Sequence, residues 1–561
     1  MQRRWEANSG CTHDYAQGTA LLLGLFASLT ACPPPNSVRS AEASAPVATQ
    51  EGRGNGAVSA ADPRAQAAGE EILAKGGSAT DAAIAVMLAL TVVEPQSSGV
   101  GGGGFLIHAG ADGVTSFDGR ETAPAAATPT RFLDADGKRL PRDKRVLSGL
   151  SVGVPGNIAL AAKAHAQFGK LEWAELFQPA IRLAREGFQV NRRLNGSLGD
   201  HKDRAGKTKS ARAVFFDAQG APLPVGATIT NPDFARTLES LASAGPRYLY
   251  FVMADRLAQY VAQETPQDGL MTEADIDAYT AKLREPVCGR YRTYKICGMG
   301  PPSSGGVAVA QMLGQLERFD LAALGPDSAT FWHLFLESQR IAYADRGLYI
   351  GDADFVPVPV AGLVDPAYLA ERSALISPDT ALPQAKPGAP QGVQVAMAPG
   401  DRPQEQGTTH FSVVDKDGNA VSYTSTIDGA FGSGLFFEGF YLNNELTDFS
   451  SRPESDGKPV ANRVEGGKRP RSSMAPTIVF DKSGEVILVG GAAGGPTIPV
   501  QTARSIIGVI DFGLSANEAV ALPIIMAFGP SVIYEEGSFL EGLEDEFKAL
   551  GHTRIRGAGL P

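Results

Sequence analysis

Apolar residues fall into blocks whose spacing changes along the chain. Over residues 62–93 alanine, isoleucine, leucine and valine recur at helical intervals, broken only at Gly76-Gly77. That spacing predicts two helices around a glycine break, with Ser78 or Thr80 capping the second. The helical period returns over 171–188, 234–244, 307–316 and 331–346. From Thr408 the pattern turns to β-hairpins: HFSVV and AVSYTST flank Lys416-Asp417-Gly418, and TIVF and VILVGG follow before a helix near 502–510. No internal repeat is visible.

Other stretches lack periodicity. The run 99–104 (GVGGGG) suggests a phosphate cradle, but it follows a helix and precedes the strand 105–108. A dinucleotide fingerprint needs strand, glycines, then helix, so a tight backbone approach is the better reading. Residues 385–406 are polar and rich in Pro, Gly and Gln, which predicts an exposed, mobile stretch. At the other end, Arg3 and Arg4 precede the apolar run 19–31. That run is shorter than the roughly 20 residues a bilayer span needs and fits an export-signal core. It ends in Leu29-Thr30-Ala31-Cys32, which looks like a bacterial lipobox with Cys32 as the lipidated residue. The alternative is an ordinary signal with a chance cysteine. Residues 33–61 then read as a Pro/Ser/Ala-rich tether without a fold.

Composition narrows the function classes. The 561 residues carry a net charge of −11 and no basic patch interleaved with aromatics, which excludes nucleic acid as a partner. The seven histidines show no metal-ligand spacing, so no metal is proposed. Cys288 and Cys297 flank GRYRTYKI; export favours a disulfide between them, and two free buried thiols are the alternative.

The segment GTTHFSVVDKDGNAVSYTSTID, residues 407–428, is the most informative. A three-residue hairpin loop with Gly418 in the left-handed position pairs Asp415 with Asn419 and sets Thr408 opposite Thr426. A two-residue loop would set Thr409 there instead. A hydroxyl is a poor nucleophile without a base, but a chain-terminal threonine carries its own α-amine, which titrates near pH 8. Cleavage between Gly407 and Thr408 would create that amine. Alone, Gly-Thr-Thr before a strand is also what an ordinary edge threonine looks like.

The wider pattern resembles the gamma-glutamyltranspeptidase family over residues 62–551. The matching motifs, in order, are AGEEILAKGGSATDAAIA, VVEPQSSGVGGGGF, FDGRETAP, GVPG, GLMTEADIDAY, GPPSSGG, the 407–426 segment, LNNELTDFS, KRPRSSMAPTIV and GAAGGPT. The resemblance implies an α+β fold, the four-layer αββα sandwich of N-terminal-nucleophile hydrolases. It also implies a precursor cut into a large subunit (62–407) and a small catalytic subunit (408–561) that stay associated. Thr408 matches the nucleophile and Thr426 its hydroxyl partner; Gly494 and Gly495 match the oxyanion-hole pair, where backbone N–H groups meet developing charge. Arg120 matches the arginine that grips a substrate α-carboxylate, although FDGRE alone would read as an ion pair with neighbouring Glu121. Ser472 and Ser473 match hydroxyls on the same carboxylate; alone they would be turn caps. Glu445 and Asp448 match the acids that hold an α-ammonium.

Three features depart from the family pattern. Asp428 stands where many members carry Asn. The 450–471 stretch is shorter than in lidded members, which implies an open pocket. Members continue past the equivalent of Pro561 into two further strands around Gly-x-x-Asp-Pro-Arg, so an open sheet edge is expected. The implied activity is cleavage of glutathione or another gamma-glutamyl amide, with transfer to water or an acceptor amino acid, without a cofactor. It would take place in the periplasm or at a lipid anchor on the cell envelope. The alternatives are a glutaryl-cephalosporin acylase or a poly-gamma-glutamate-processing enzyme of the same fold, and, in a different class, an uncleaved ligand-binding envelope lipoprotein.

Overall fold

The computed structural model describes residues 54, 56–265, 271–393, 396–400 and 407–560. Cys32 and the apolar run 19–31, expected to be an export-signal core, lie outside the described residues. Ten strands form two facing sheets: β1 (Gly56–Ser59), β2 (Gly103–Gly110), β3 (Gly113–Gly119), β4 (Lys282–Arg284), β5 (Val287–Tyr291), β6 (Tyr294–Gly298), β7 (Thr409–Asp415), β8 (Ala420–Thr426), β9 (Thr477–Phe480) and β10 (Val486–Gly490). The first sheet runs β1-β7-β8-β2-β3-β4 and the second β10-β9-β6-β5, antiparallel throughout.

Helices α1 (Pro63–Ala74), α2 (Ala79–Val93) and α3 (Asn157–Phe168) cover the outer side of the first sheet. On the second sheet lies α4 (Gly305–Leu316), with α5 (Ala329–Tyr349) and α6 (Ile498–Ile510) packed against it. The layers are therefore αββα. Every residue of α2 is buried, because sheet lies on one side and outer helices on the other.

The α1–α2 break follows the sequence. Gly76 takes φ +90°, and the amides of Gly76 and Gly77 donate to the carbonyls of Leu73 and Ile72 at 2.9 and 3.0 Å. Ser78, not Thr80, caps α2 through a reciprocal pair with Asp81. The block 171–188 is less regular than its periodicity: Pro179 lacks an N–H and is tolerated in a first turn, so a helix over Gln178–Glu186 starts there behind a 3₁₀ turn, Trp173–Phe177.

The three-residue hairpin loop is the one formed. Ala420 faces Val414, Ser425 faces Thr409, and Gly418 has φ +85°. Asp415 anchors this hairpin to the start of α2, accepting hydrogen bonds from the amides of Asp417, Asn419 and Ala79 at 3.0, 3.0 and 3.2 Å. The glycine run ahead of β2 serves close approach: a Cβ on Gly102 would lie 2.0 Å from the Thr426 carbonyl oxygen.

Two expectations need correction. Residues 33–61 are not all tether, since β1 pairs with β7, from Gly56 opposite Asp415 to Ser59 opposite Ser412. Alternating main-chain hydrogen bonds, which composition does not report, hold it there. Nor are residues 385–406 uniformly exposed. Ala398 is buried and bridges to Val460, and the Gly388 amide donates to Asp345 at 2.8 Å.

A disulfide joins Cys288 and Cys297, which face each other across β5 and β6. β10 is an edge strand of its sheet. A third sheet, β11 (Ile525–Phe528), β12 (Ser531–Glu535) and β13 (Arg554–Ala558), packs by β11 against α5. Among the described residues no helix is long and apolar enough to cross a membrane.

Candidate active site

Thr408 stands one residue before β7, with its Oγ1 3.3 Å from Thr426 Oγ1 at the end of β8. Gly407 takes φ +107°, and a Cβ there would sit 2.8 Å from the Asp428 carbonyl oxygen, so a side chain meets both strain and a clash. Its carbonyl oxygen receives hydrogen bonds from Thr408 Oγ1 at 2.5 Å and Thr426 Oγ1 at 2.8 Å. The Asp428 amide donates to Thr426 Oγ1 at 2.8 Å, which occupies a lone pair and leaves the Thr426 proton for that carbonyl.

Hydroxyls also join the two sheets beside Thr408. Ser412 donates to the Val489 carbonyl and Ser422 to the Gly490 carbonyl, each at 2.9 Å. His410 lies between Thr424 Oγ1 at 2.8 Å and Ser412 Oγ at 3.2 Å. Burial lowers its pKa to about 3, so the imidazole is neutral. A cleft of about 410 Å³ opens here, lined in part by Thr408, His410, Gly491 and Ala493.

Arg120 directly follows β3 and is buried. Its Nε donates to the Pro470 carbonyl at 3.1 Å and its Nη2 to the Arg471 carbonyl at 3.0 Å. Its other donors meet Glu445 and, at 2.5 Å, Asp448 Oδ2, both on a 3₁₀ turn, Glu445–Asp448. Glu445 and Asp448 are thus the close partners of Arg120, and Glu121 pairs with it only at 4.0 Å. Asp428, at φ +69°, accepts hydrogen bonds from Asn444 and, at 3.2 Å, from Thr447. Oxygens of Asp428, Glu445 and Asp448 lie within 4.8 Å of one another. The three carboxylates thus gather beside the Arg120 guanidinium, and Arg204 acts electrostatically on Asp428.

Ser473 Oγ accepts a 2.5 Å hydrogen bond from Arg346 on α5. The Ser472 carbonyl accepts from the Ser304 amide and hydroxyl at 2.8 and 2.7 Å, which marries the 301–306 loop to the 471–474 loop. Ser472 Oγ takes the Met474 amide at 3.1 Å, as a turn hydroxyl does. Gly494 and Gly495, with φ of +112° and +58°, lead through a 3₁₀ turn into α6, and neither is hydrogen-bonded to Thr408.

Sequence reasoning missed several partners. Asn444 spans the site, giving Nδ2 to Asp428 and taking the Gly429 amide at 2.8 Å. The doublet Asn443-Asn444 before ELTD was the available signal. Arg204, bonded to the Ala430 carbonyl at 3.1 Å, and Arg346 reach the site from distant helices and leave no local trace.

A family model described as Gamma-glutamyltranspeptidase matches residues 65–558. The chain belongs to the gamma-glutamyltranspeptidase family. Among its relatives, a glutathione hydrolase proenzyme of Bacillus subtilis (strain 168) is 38% identical over 511 residues, 89% of this chain and 85% of the relative. An acylase ACY 1 proenzyme of Pseudomonas sp. (strain V22) is 38% identical over 503 residues, 88% of this chain and 86% of the relative. The crystal structure of a cephalosporin acylase from Bacillus halodurans matches with a TM-score of 0.78 and 26% identity, over 90% of this chain and 89% of that one. The four layers are those of the N-terminal-nucleophile hydrolases.

Proposed function

We propose that this gamma-glutamyltranspeptidase-family enzyme cuts itself at Gly407–Thr408 and then transfers gamma-glutamyl groups from glutathione-like amides to water or an amino acid. The observation that carries the reading is the Gly407 carbonyl, gripped by the Thr426 hydroxyl beside the Thr408 hydroxyl. In maturation Thr408 Oγ1 attacks the Gly407 carbon, and Thr426 donates to the oxygen as negative charge develops. The C–N bond breaks as the proton from Oγ1 reaches the nitrogen, leaving an ester. Water hydrolyses that ester, giving a Gly407 carboxylate and restoring the Thr408 hydroxyl beside the α-amine freed by the shift. The amine next serves as base when the same hydroxyl attacks a γ-amide. The acyl-enzyme passes to water or to an acceptor amine. Gly494 and Gly495, on the turn into α6, supply amides to the second oxyanion.

The donor's head group is a zwitterion. Its α-carboxylate takes Arg120, with Ser472 and Ser473 alongside, and its α-ammonium takes Glu445 and Asp448. Asp428 adds negative charge on the ammonium side. Insertion exchanges the internal pairs of Arg120 with Glu445 and Asp448 for pairs with the head group, at no net change of charge. The short 450–471 stretch favours hydrolysis over transfer. The protein acts outside the cytoplasm, anchored through Cys32.

Two measurements test this reading. Mass spectrometry of the purified protein is expected to find fragments split between Gly407 and Thr408, and only the full chain for T408A. Turnover of gamma-glutamyl anilide should exceed that of glutaryl anilide, which lacks the ammonium. The acylase alternative is favoured by the likeness to the cephalosporin acylase; robust glutaryl cleavage with no gamma-glutamyl cleavage would establish it instead.

A further inference from the structure

The cleft of about 410 Å³ beside Thr408 lies on the side of that threonine away from Arg120, and sheet order fixes which side that is. Arg120 follows β3 and Thr408 precedes β7 at the same end of the first sheet, since Gly104 faces Gly119, Thr426 faces Gly103 and Ser425 faces Thr409. β2 and β8 lie between them, and β1 lies beyond Thr408. Ser59, at the end of β1, and Ala61 form part of the cleft wall. An acyl chain stretched from Arg120 to Thr408 therefore directs its amide nitrogen, and whatever that nitrogen carries, towards this cleft.

One charge waits there. Among the described residues that line the cleft, Arg193 alone is charged, because His410 is neutral and the others are apolar residues, glycines, an asparagine, serines and threonines. Arg193 stands in the first turn of the helix Arg192–Asp200, whose cap, Asn191, donates from Nδ2 to Asp62 at 3.2 Å and so ties the helix to the chain leaving β1. Its Nη1 lies 3.1 Å from Oε1 of Glu94, the buried residue that closes α2. Among the described residues the guanidinium has no other partner, and the side chain is 51% exposed. Glu94 thus holds one nitrogen against the rigid core, while a guanidinium carries five N–H donors in a planar fork suited to a second carboxylate. We propose that Arg193 binds the far carboxylate of the leaving amine, and later the carboxylate of the acceptor that replaces it. This rests on gamma-glutamyl transfer by Thr408 with Arg120 at the donor's head. The favoured donors are gamma-glutamyl peptides whose leaving amine ends in a carboxylate, as glutathione does, with a cation for each end and the nucleophile between. An acceptor amine must reach the acyl carbon from where the first amine left, so both use one pocket. Leu488, Ile506 and Val509 supply apolar wall, which disfavours a second, unpaired charge on either.

The test compares kcat/KM for glutathione and for its C-terminal amide, which differ by one charge in the leaving group, in the mature wild type, R193M and R193K. Gamma-glutamyl anilide serves as a reference donor with no carboxylate there. The wild type is expected to prefer glutathione over the amide by about fivefold, the upper end for a partly exposed ion pair. R193M should bring that ratio near one, and R193K should keep part of it. A merely structural role would lower both donors together and leave the ratio in place. A wild-type ratio near one overturns the proposal, as does a ratio in R193M equal to that of the wild type. Salt gives a reading that needs no variant. Between 0.01 and 1 M the screening length falls from about 30 to about 3 Å, so the wild-type preference should shrink, and one that ignores salt counts against Arg193. Screening at Arg120 is common to both donors and cancels in the ratio. If R193M fails to mature, the salt dependence decides. The anilide separates the two readings: its turnover with an unaltered ratio in R193M sinks only the role of Arg193, whereas a mature wild type that cleaves none of the three donors removes the transfer reading and this proposal together.

Discussion

The Thr426 hydroxyl has one proton and several neighbours, and its surroundings settle where that proton goes. With the Asp428 amide on its oxygen, it points at the Gly407 carbonyl 2.8 Å away. T426A removes a single donor from a developing oxyanion, a loss that costs roughly 10²–10³ in rate at comparable sites. Maturation of T426A, followed as the time course of band splitting on denaturing gels, should slow by that order, and T426S should restore most of it. A T426A protein that matures at the wild-type rate would remove the hydroxyl from the step. This pair was legible in the sequence because hairpin arithmetic converts a loop length into a register, and the register set Thr408 against Thr426. The Ser473–Arg346 contact was not, because its partners lie 127 residues apart on elements whose packing no periodicity encodes.

At the scale of elements, α5 is tied to the segment before β13 by a directed chain of hydrogen bonds. Arg340, which can only donate, reaches His552 Nδ1 at 3.1 Å; His552 Nε2 then donates to His333 Nδ1 at 2.8 Å, and His333 Nε2 to the Ser377 carbonyl at 2.8 Å. Each imidazole must be neutral for this chain to exist. Burial first, then the Arg340 charge, lowers His552 to about 3, and burial lowers His333 as well. An unfolded histidine protonates near pH 6.5, so between that pH and about 3 the unfolded state binds more protons, and stability falls as pH drops. At pH 5 His552 alone should cost about 2 kcal/mol relative to pH 7. Thermal melts at the two pH values should show this loss, and H552Q should flatten it; an equal loss in H552Q would assign the acid sensitivity elsewhere. Periodicity found α5 itself, but not what its buried polar residues meet. Its success at the Gly76-Gly77 break and its failure at Pro179 have one cause, since backbone punctuation is local and can be read locally only where tertiary contacts agree with it.

Across the whole molecule, the proposed cut between Gly407 and Thr408 lies just ahead of β7, inside a continuous sheet. A cut between Gly407 and Thr408 would leave β7 and β8 in the C-terminal fragment, hydrogen-bonded between β1 and β2 of the N-terminal one. Cleavage removes one covalent bond and leaves these ladders intact. The two fragments should therefore co-elute in size-exclusion chromatography and part only in denaturant, and separation in native buffer would contradict the sheet order. The αββα class followed from the family resemblance. The strand order did not follow from the pattern, because β8 meets β2 across more than 300 residues of chain.

The four residues of β1 set a practical limit on how this protein can be shortened. Trimming to Asp62, where the composition changes, would strip β7 of β1, one of its two neighbours, and leave it as a bare sheet margin. Bare margins recruit extended chains from other molecules. Preparations begun at that boundary are expected to accumulate as strand-linked oligomers, and those begun ahead of Gly56 to stay dispersed.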